Sequence, residues 1–333
     1  MRQLSIHVRA GDPFELTLRV VRAADPIDYH VTQLEQRDRK LITVFLRDGT
    51  GQMLMDSIQD CLKDEKEWRI TLQAIEATSP RVEEPTDEKA ARNDRATREE
   101  IFEDIASGAR LDRDFLVLVI LSTVVAAIGL NANGVAAVIG AMVIAPLLGP
   151  ILGFSLGVAL GDDALLKASG KTLAAGVLLA LLCSVALSFM LEVNLNSREL
   201  ISRAEVRLDG LALAMAAGGA AALSITRGQG AVLVGVMVAA ALLPPGAAIG
   251  LFAGAGEWNY AGRAALLLTL NVASLVLSAL IVFWVQGVRA RGWIERENAR
   301  RAVIVNAAIS VMLLLIAAVL IIYLDLGSEI VIG

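Results

Sequence analysis

Beyond Asp114 the chain repeatedly runs without Asp, Glu, Lys, Arg or His, in several stretches of about 17 to 27 residues. That is the length of helix needed to cross roughly 30 Å of hydrocarbon. Before Asp114, charges recur every few residues. The chain therefore divides near Asp114 into a soluble part and a block of membrane helices. A 56% hydrophobic share, above that of ordinary soluble domains, agrees with this division.

The charge-poor runs predict spans at about 115–130, 134–160, 172–191, 211–225, 231–254, 264–285 and 303–324, seven in all. The first thirty residues include His7, Arg9, Asp12, Glu15 and Arg19 and lack the apolar core of a secretory signal, so a cytoplasmic N-terminus is expected. With that start, Lys167 and Lys171, then Arg227, then Arg289 to Arg301 fall on the cytoplasmic side, as the positive-inside rule asks. Arg198, Arg203 and Arg207 run against the trend. The location expected is a prokaryotic inner membrane.

The soluble part, 1–78, reads as a ferredoxin-like α+β domain. A strand at 2–9 precedes a helix at 12–24 that opens on Asp12-Pro13. Two strands at 29–36 and 41–47 flank the charged turn Arg37 to Lys40, and a helix at 51–62 and a strand at 68–75 complete a βαββαβ order. Such a domain binds small regulators or pairs subunits, and the fold does not choose between them. His7 and His30 fall on separate strands with no Cys or carboxylate spacing to complete a metal set. Cys61 and Cys183 sit in different environments and read as small apolar fillers. No metal, cofactor or nucleic acid is implied. Residues 79–96 carry two prolines and dense mixed charge, the composition of a linker. Thr97-Arg98-Glu99-Glu100 then reads as a capping box opening an amphipathic juxtamembrane helix over 97–113, with Ile101, Ile105 and Leu111 as its apolar stripe.

The membrane block, 114–333, contains an internal repeat. Shifted by about 95 residues, GAMVIAPLLGP (Gly140 to Pro150) lies over GVMVAAALLPP (Gly235 to Pro245), and Gly161-Asp162 lies over Gly256-Glu257. Repeat 1 occupies about 115–191, repeat 2 about 210–285, and the helix at 303–324 is an addition. Three spans per repeat is an odd number, so the second copy enters from the opposite side, the inverted arrangement of many secondary transporters. Pro146, Pro150, Pro244 and Pro245 each remove a helix donor, so both central segments are expected to be kinked or broken at membrane depth. Lipid offers the freed backbone groups no partner, and paired broken helices point to a transport site. The plainer alternative is a kink that only shapes the bundle.

Candidate substrate-binding residues are therefore Asn133, Pro146, Gly149, Pro150, Ser155, Thr226, Pro244, Pro245, Gly246 and Asn271. Glycines at four-residue spacing (Gly149, Gly153, Gly157, Gly161; Gly246, Gly250, Gly254) lay bare backbone along a helix face, and Gly153, Gly157, Gly250 and Gly254 are expected to pack helices together. A pore lined by glycine backbone is the other possibility. The spans carry no ionisable residue near their middles, which argues against a buried-acid proton antiporter. No HExxH, GxSxG or Walker A sequence occurs, so no enzyme is expected.

The segment Thr97 to Gly153, with Met237 to Pro245 and Leu266 to Trp284, resembles a prokaryotic membrane family known as domain of unknown function 389, or uncharacterised hydrophobic domain. The resemblance is most specific at GAMVIAPLLGP. It implies an inner-membrane protein and brings no substrate or catalytic residue. Function then rests on the residues, which support a transporter or channel-like protein for a small solute or ion, with one alternative of a different class. The first is permeation beside the proline segments, in a homo-oligomer with a cytoplasmic regulatory or oligomerisation domain. The second is a membrane-anchored sensor or scaffold whose soluble domain binds a ligand or partner.

Overall fold

The computed structural model describes residues 1–34, 38–46, 51–65, 67–75, 97–228 and 232–288, and residues 303, 304, 308 and 312. The linker at 79–96 and most of the seventh expected span lie outside the described residues. The chain forms two compact units, Met1–Glu100 and Ile101–Gly333.

In the first unit, β1 (Arg2–Arg9), α1 (Asp12–Ala23), β2 (Asp28–Gln33), β3 (Arg39–Leu46), α2 (Gly51–Cys61) and β4 (Arg69–Ala74) follow one another. The four strands form one sheet in the order β2-β3-β1-β4, and each adjacent pair is antiparallel. Register sets the core: Leu4 faces Val44 and Leu72, and Ile6 faces Ile42 and Ile70. Because side chains alternate along a strand, these residues share one face, and Phe14, Leu18 and Val21 of α1 with Leu54, Met55 and Ile58 of α2 pack on it. Of the charged turn expected at Arg37 to Lys40, Arg37 lies outside the described residues. Arg39 and Lys40 belong to β3, where they pair with Arg9 and Val8 across the sheet.

The capping box forms at the start of α3 (Arg98–Gly108). Glu100 N–H donates to Thr97 Oγ1 at 3.2 Å and Thr97 N–H donates to Glu100 Oε2 at 2.7 Å. Within this first unit the same turn is tied to the domain by Arg98 N–H donating to Gln52 Oε1 at 2.8 Å and by the Arg2–Glu100 ion pair at 3.0 Å. The helix ends at Gly108, so Leu111 lies beyond it and half-exposed, outside the apolar stripe expected of it.

The second unit is helical: α4 (Arg113–Asn131), α5 (Val135–Ile144), α6 (Leu148–Leu160), α7 (Asp163–Ser188), the short α8 (Arg198–Ile201), α9 (Leu208–Thr226), α10 (Val232–Gly254) and α11 (Trp258–Val285). Five of these helices are long and apolar enough to cross a membrane, and six spans result if the bent pair α5 and α6 counts as one. The span expected at 172–191 starts earlier in the structure, at Asp163. Asp162 caps α7 by accepting from Ala164 and Leu165 N–H at 2.9 Å, so Lys167 and Lys171 lie on the helix and not in a loop.

The elements recur at the spacing of the repeat. Moving Arg113–Asn131 along by about 95 residues lands on Leu208–Thr226 at both ends, and the start of α7 at Asp163 lands on the start of α11 at Trp258. Backbone conformation recurs as well. Asn133 (φ 55°) matches Gly228 (φ 64°), and Gly161 (φ 69°) matches Gly256 (φ 82°). Each such residue turns the chain left-handed where a helix has just ended, the conformation glycine adopts without steric cost.

Candidate permeation site at the paired proline segments

In the first copy the central span is broken. Ala145 is extended (φ −67°, ψ 121°), as a residue before proline prefers, and α6 departs from α5 at 53°. Pro146 occupies the break. Pro150 sits in the first turn of α6, where no helical donor is required, so it costs that helix nothing.

In the second copy the expected interruption is absent: α10 runs unbroken through Pro244 and Pro245. Pro245 cannot donate to the carbonyl of Ala241, but Asn271 of α11 replaces the missing donor, its Nδ2–H bonding Ala241 O at 2.8 Å. The repeat explains the difference. Ala241 is the counterpart of Pro146, and Asn271 is the counterpart of Gly176, which has no side chain to offer. One copy breaks and the other is spliced by an amide.

Both proline segments reach one small cavity. Ala145 and Leu147 line it from the break, and Leu242, Leu243 and Gly246 line it from α10. Leu147 and Leu242 are counterparts in the two copies, so the cavity lies where the repeats meet. Its volume is about 10 Å³, near the least that holds one water molecule. Its lining is apolar except for Ser122, whose hydroxyl donates to Val119 O at 3.1 Å.

A family model described as "Domain of unknown function (DUF389)" matches residues 142–277. An uncharacterised protein of Methanocaldococcus jannaschii, MJ0678, is 33% identical over 256 residues, which is 77% of this chain and 79% of that protein. The chain belongs to this family. No solved structure matches it. The segment that matches the DUF389 model opens at Met142, just before the break, and closes at Leu277, beyond Asn271, so it spans both proline segments and the amide that splices the second.

Among the other candidate residues of this DUF389 protein, Asn133 lies away from the prolines. Its Oδ1 accepts from Glu199 N–H at 3.0 Å, while Asn131 bonds Glu192 O at 2.9 Å and Asn194 N–H at 2.7 Å. Together they clamp the segment between the repeats onto the α4–α5 turn. Ser155 and Thr226 are buried and turn their hydroxyls back on Ile151 O and Leu223 O. Ser184 and Ser278 do the same with Ala180 O and Leu275 O. Ser274 does not, and its buried Oγ has no hydrogen-bond partner. Asn271 Oδ1 is likewise buried without a partner.

The glycine stripes are covered by protein. A Cβ on Gly149 would strike the Gly108 carbonyl, one on Gly153 would meet Ala109 Cβ at 2.9 Å, and one on Gly157 would meet Leu166 N at 2.7 Å. On α10, Gly250 abuts Ser184 and Gly254 abuts Ser188, both on α7. Helix α7 therefore takes the stripe of its own repeat near its start and the stripe of the other repeat near its end. Gly246 alone of this set has open space where a Cβ would stand. Sequence reading missed Leu147, Leu242, Ser122 and Gly176 as cavity residues. Gly176 was reachable through the repeat, as the counterpart of Asn271.

Proposed function

We propose that this DUF389 protein carries a small solute or ion across a membrane, with its path passing between the two proline segments. The observation that carries the reading is the cavity shared by Leu147 and Leu242, equivalent residues of two copies meeting at one point. In an inverted pair of three-span repeats, such a point lies near the axis relating them, where transporters of this build bind substrate. The small apolar cavity then corresponds to an occluded conformation. The seventh span would add to the two repeats, and the first unit, read as a ferredoxin-like domain from its strand order, would sit in the cytoplasm as a regulatory or oligomerisation domain of a homo-oligomer. No enzymatic role is proposed.

The test is thiol accessibility. In a Cys61→Ser, Cys183→Ala background, Leu147→Cys and Leu242→Cys are exposed in proteoliposomes to a charged, water-soluble methanethiosulfonate. Transport requires both positions to react. Protection of both, under conditions where the detergent-unfolded protein reacts, removes the reading. It would leave the scaffold alternative, which the apolar lining of the cavity favours.

A further inference from the structure

Ser274 and Asn271 stand one helical turn apart on α11, and three residues along a helix places two side chains on one face. Both are buried, Asn271 at 6% and Ser274 at 0% exposure, and Asn271 Oδ1 and Ser274 Oγ have no partner. Asn271 is held in place by its bond to Ala241 O, which uses one of the two N–H groups on Nδ2. The oxygen is left bare beside it. Ser274 departs from the habit of Ser155, Ser184 and Ser278, whose hydroxyls fold back onto their own helix. On α10, Pro244 leaves the carbonyl of Ala240 without its regular helical donor, and the Ala241 carbonyl, in contact with Asn271, keeps a second lone pair.

We propose that Asn271 Oδ1 and Ser274 Oγ, with the second lone pair of the Ala241 carbonyl, take part in binding one dehydrated alkali cation. The available groups are oxygens that accept. An anion would need several donors, and beside the N–H bonded to Ala241 only the second amide N–H and the Ser274 hydroxyl could supply them. A divalent ion would call for carboxylates to balance its charge, and neither α10 nor α11 carries one near its middle. Neutral carbonyl, amide and hydroxyl oxygens suit a monovalent hard cation. The inference rests on the transport reading for the cation's purpose as a coupled or carried ion; the site itself is a separate matter of binding.

The experiment uses the full chain in nanodiscs, with unfolding followed by tryptophan fluorescence in lithium, sodium or potassium chloride against choline chloride at fixed ionic strength. At least one alkali cation is expected to raise the midpoint saturably. Ser274→Ala, which leaves the Asn271–Ala241 bond intact, is expected to match the wild type in choline and to need about tenfold more cation for half-saturation. Ser274→Thr, which keeps the hydroxyl, should restore the response. Equal midpoints in all salts, or a Ser274→Ala curve that overlays the wild type, overturn the proposal and leave a bound water in its place. A cation response with unreactive Leu147→Cys and Leu242→Cys keeps the site and removes transport. Reactive cysteines without a cation response do the reverse.

Discussion

The side-chain amide of Asn271 donates to the carbonyl of Ala241 at 2.8 Å, on the residue whose helical partner would have been Pro245. Two defects in the sequence thereby cancel. An amide in the middle of a span needs a partner, and a carbonyl four residues before a proline lacks one. Asn271→Ala should therefore cost roughly 1–2 kcal/mol of stability by leaving the carbonyl bare. Adding Pro245→Ala should recover most of it, because the new backbone N–H bonds the same carbonyl. Unfolding of the two single variants and the double variant forms a cycle that reads this coupling. Additive losses would show that Asn271 does not splice the helix.

The glycine stripe of α10 yields a contrast within one helix. At Gly250 a Cβ would meet Leu181 O at 2.8 Å as well as Ser184, whereas at Gly246 it would meet nothing within 4 Å. Gly250→Ala is expected to cost about 1–3 kcal/mol through overpacking. Gly246→Ala should be neutral, or gain about 0.5–1 kcal/mol from the helix preference of alanine. Detergent stability and size-exclusion profiles of the pair decide it. Equal behaviour would remove the close approach of α10 to α7.

Much of this was legible in the sequence, for identifiable reasons. Charge-free length locates α4 and α9 to within a few residues, because lipid tolerates little else, and alternation locates β1 and β3. The capping box at Thr97 was readable because its two bonds join residues three apart. What stayed hidden depends on contacts between distant residues. Pro244-Pro245 looks at least as disruptive as Pro146, and only Asn271, reaching from the next helix, makes the difference. The start of α7 carried a local signal as well, the cap at Asp162 with bonds two and three residues along, but the charges of Lys167 and Lys171 suggested a loop instead.

The segment between the repeats tests the orientation. Asn131 and Asn133 bind it at Glu192, Asn194 and Glu199, so the α4–α5 turn and this segment share one end of the bundle. Its arginines, which oppose the positive-inside trend, are largely offset by local acids: Arg203 pairs with Glu199 at 3.1 Å and Arg207 with Asp209 at 3.2 Å. With the first unit in the cytoplasm, Asn196→Cys in a cysteine-free background should be labelled by an impermeant reagent in intact cells, and Lys167→Cys should be protected. The opposite pattern reverses the topology.

The break at Pro146 is the last element open to a direct test. Pro146 lacks the donor that the Met142 carbonyl would need for α5 to continue, and it holds Ala145 extended. Pro146→Ala supplies that donor and lifts the restriction on Ala145, so an unbroken α5–α6 becomes available. If the break is a passive consequence of packing, the variant keeps both its stability and the reactivity of Leu147→Cys. If the break is what lets the path between the repeats open, the variant is at least as stable as the wild type while Leu147→Cys reacts about tenfold more slowly, because a straightened helix opens the cavity less often. The second outcome is expected. The proline forbids the very bond that would close the helix, and Gly176 opposite it has no side chain with which to splice the helix as Asn271 does in the other copy.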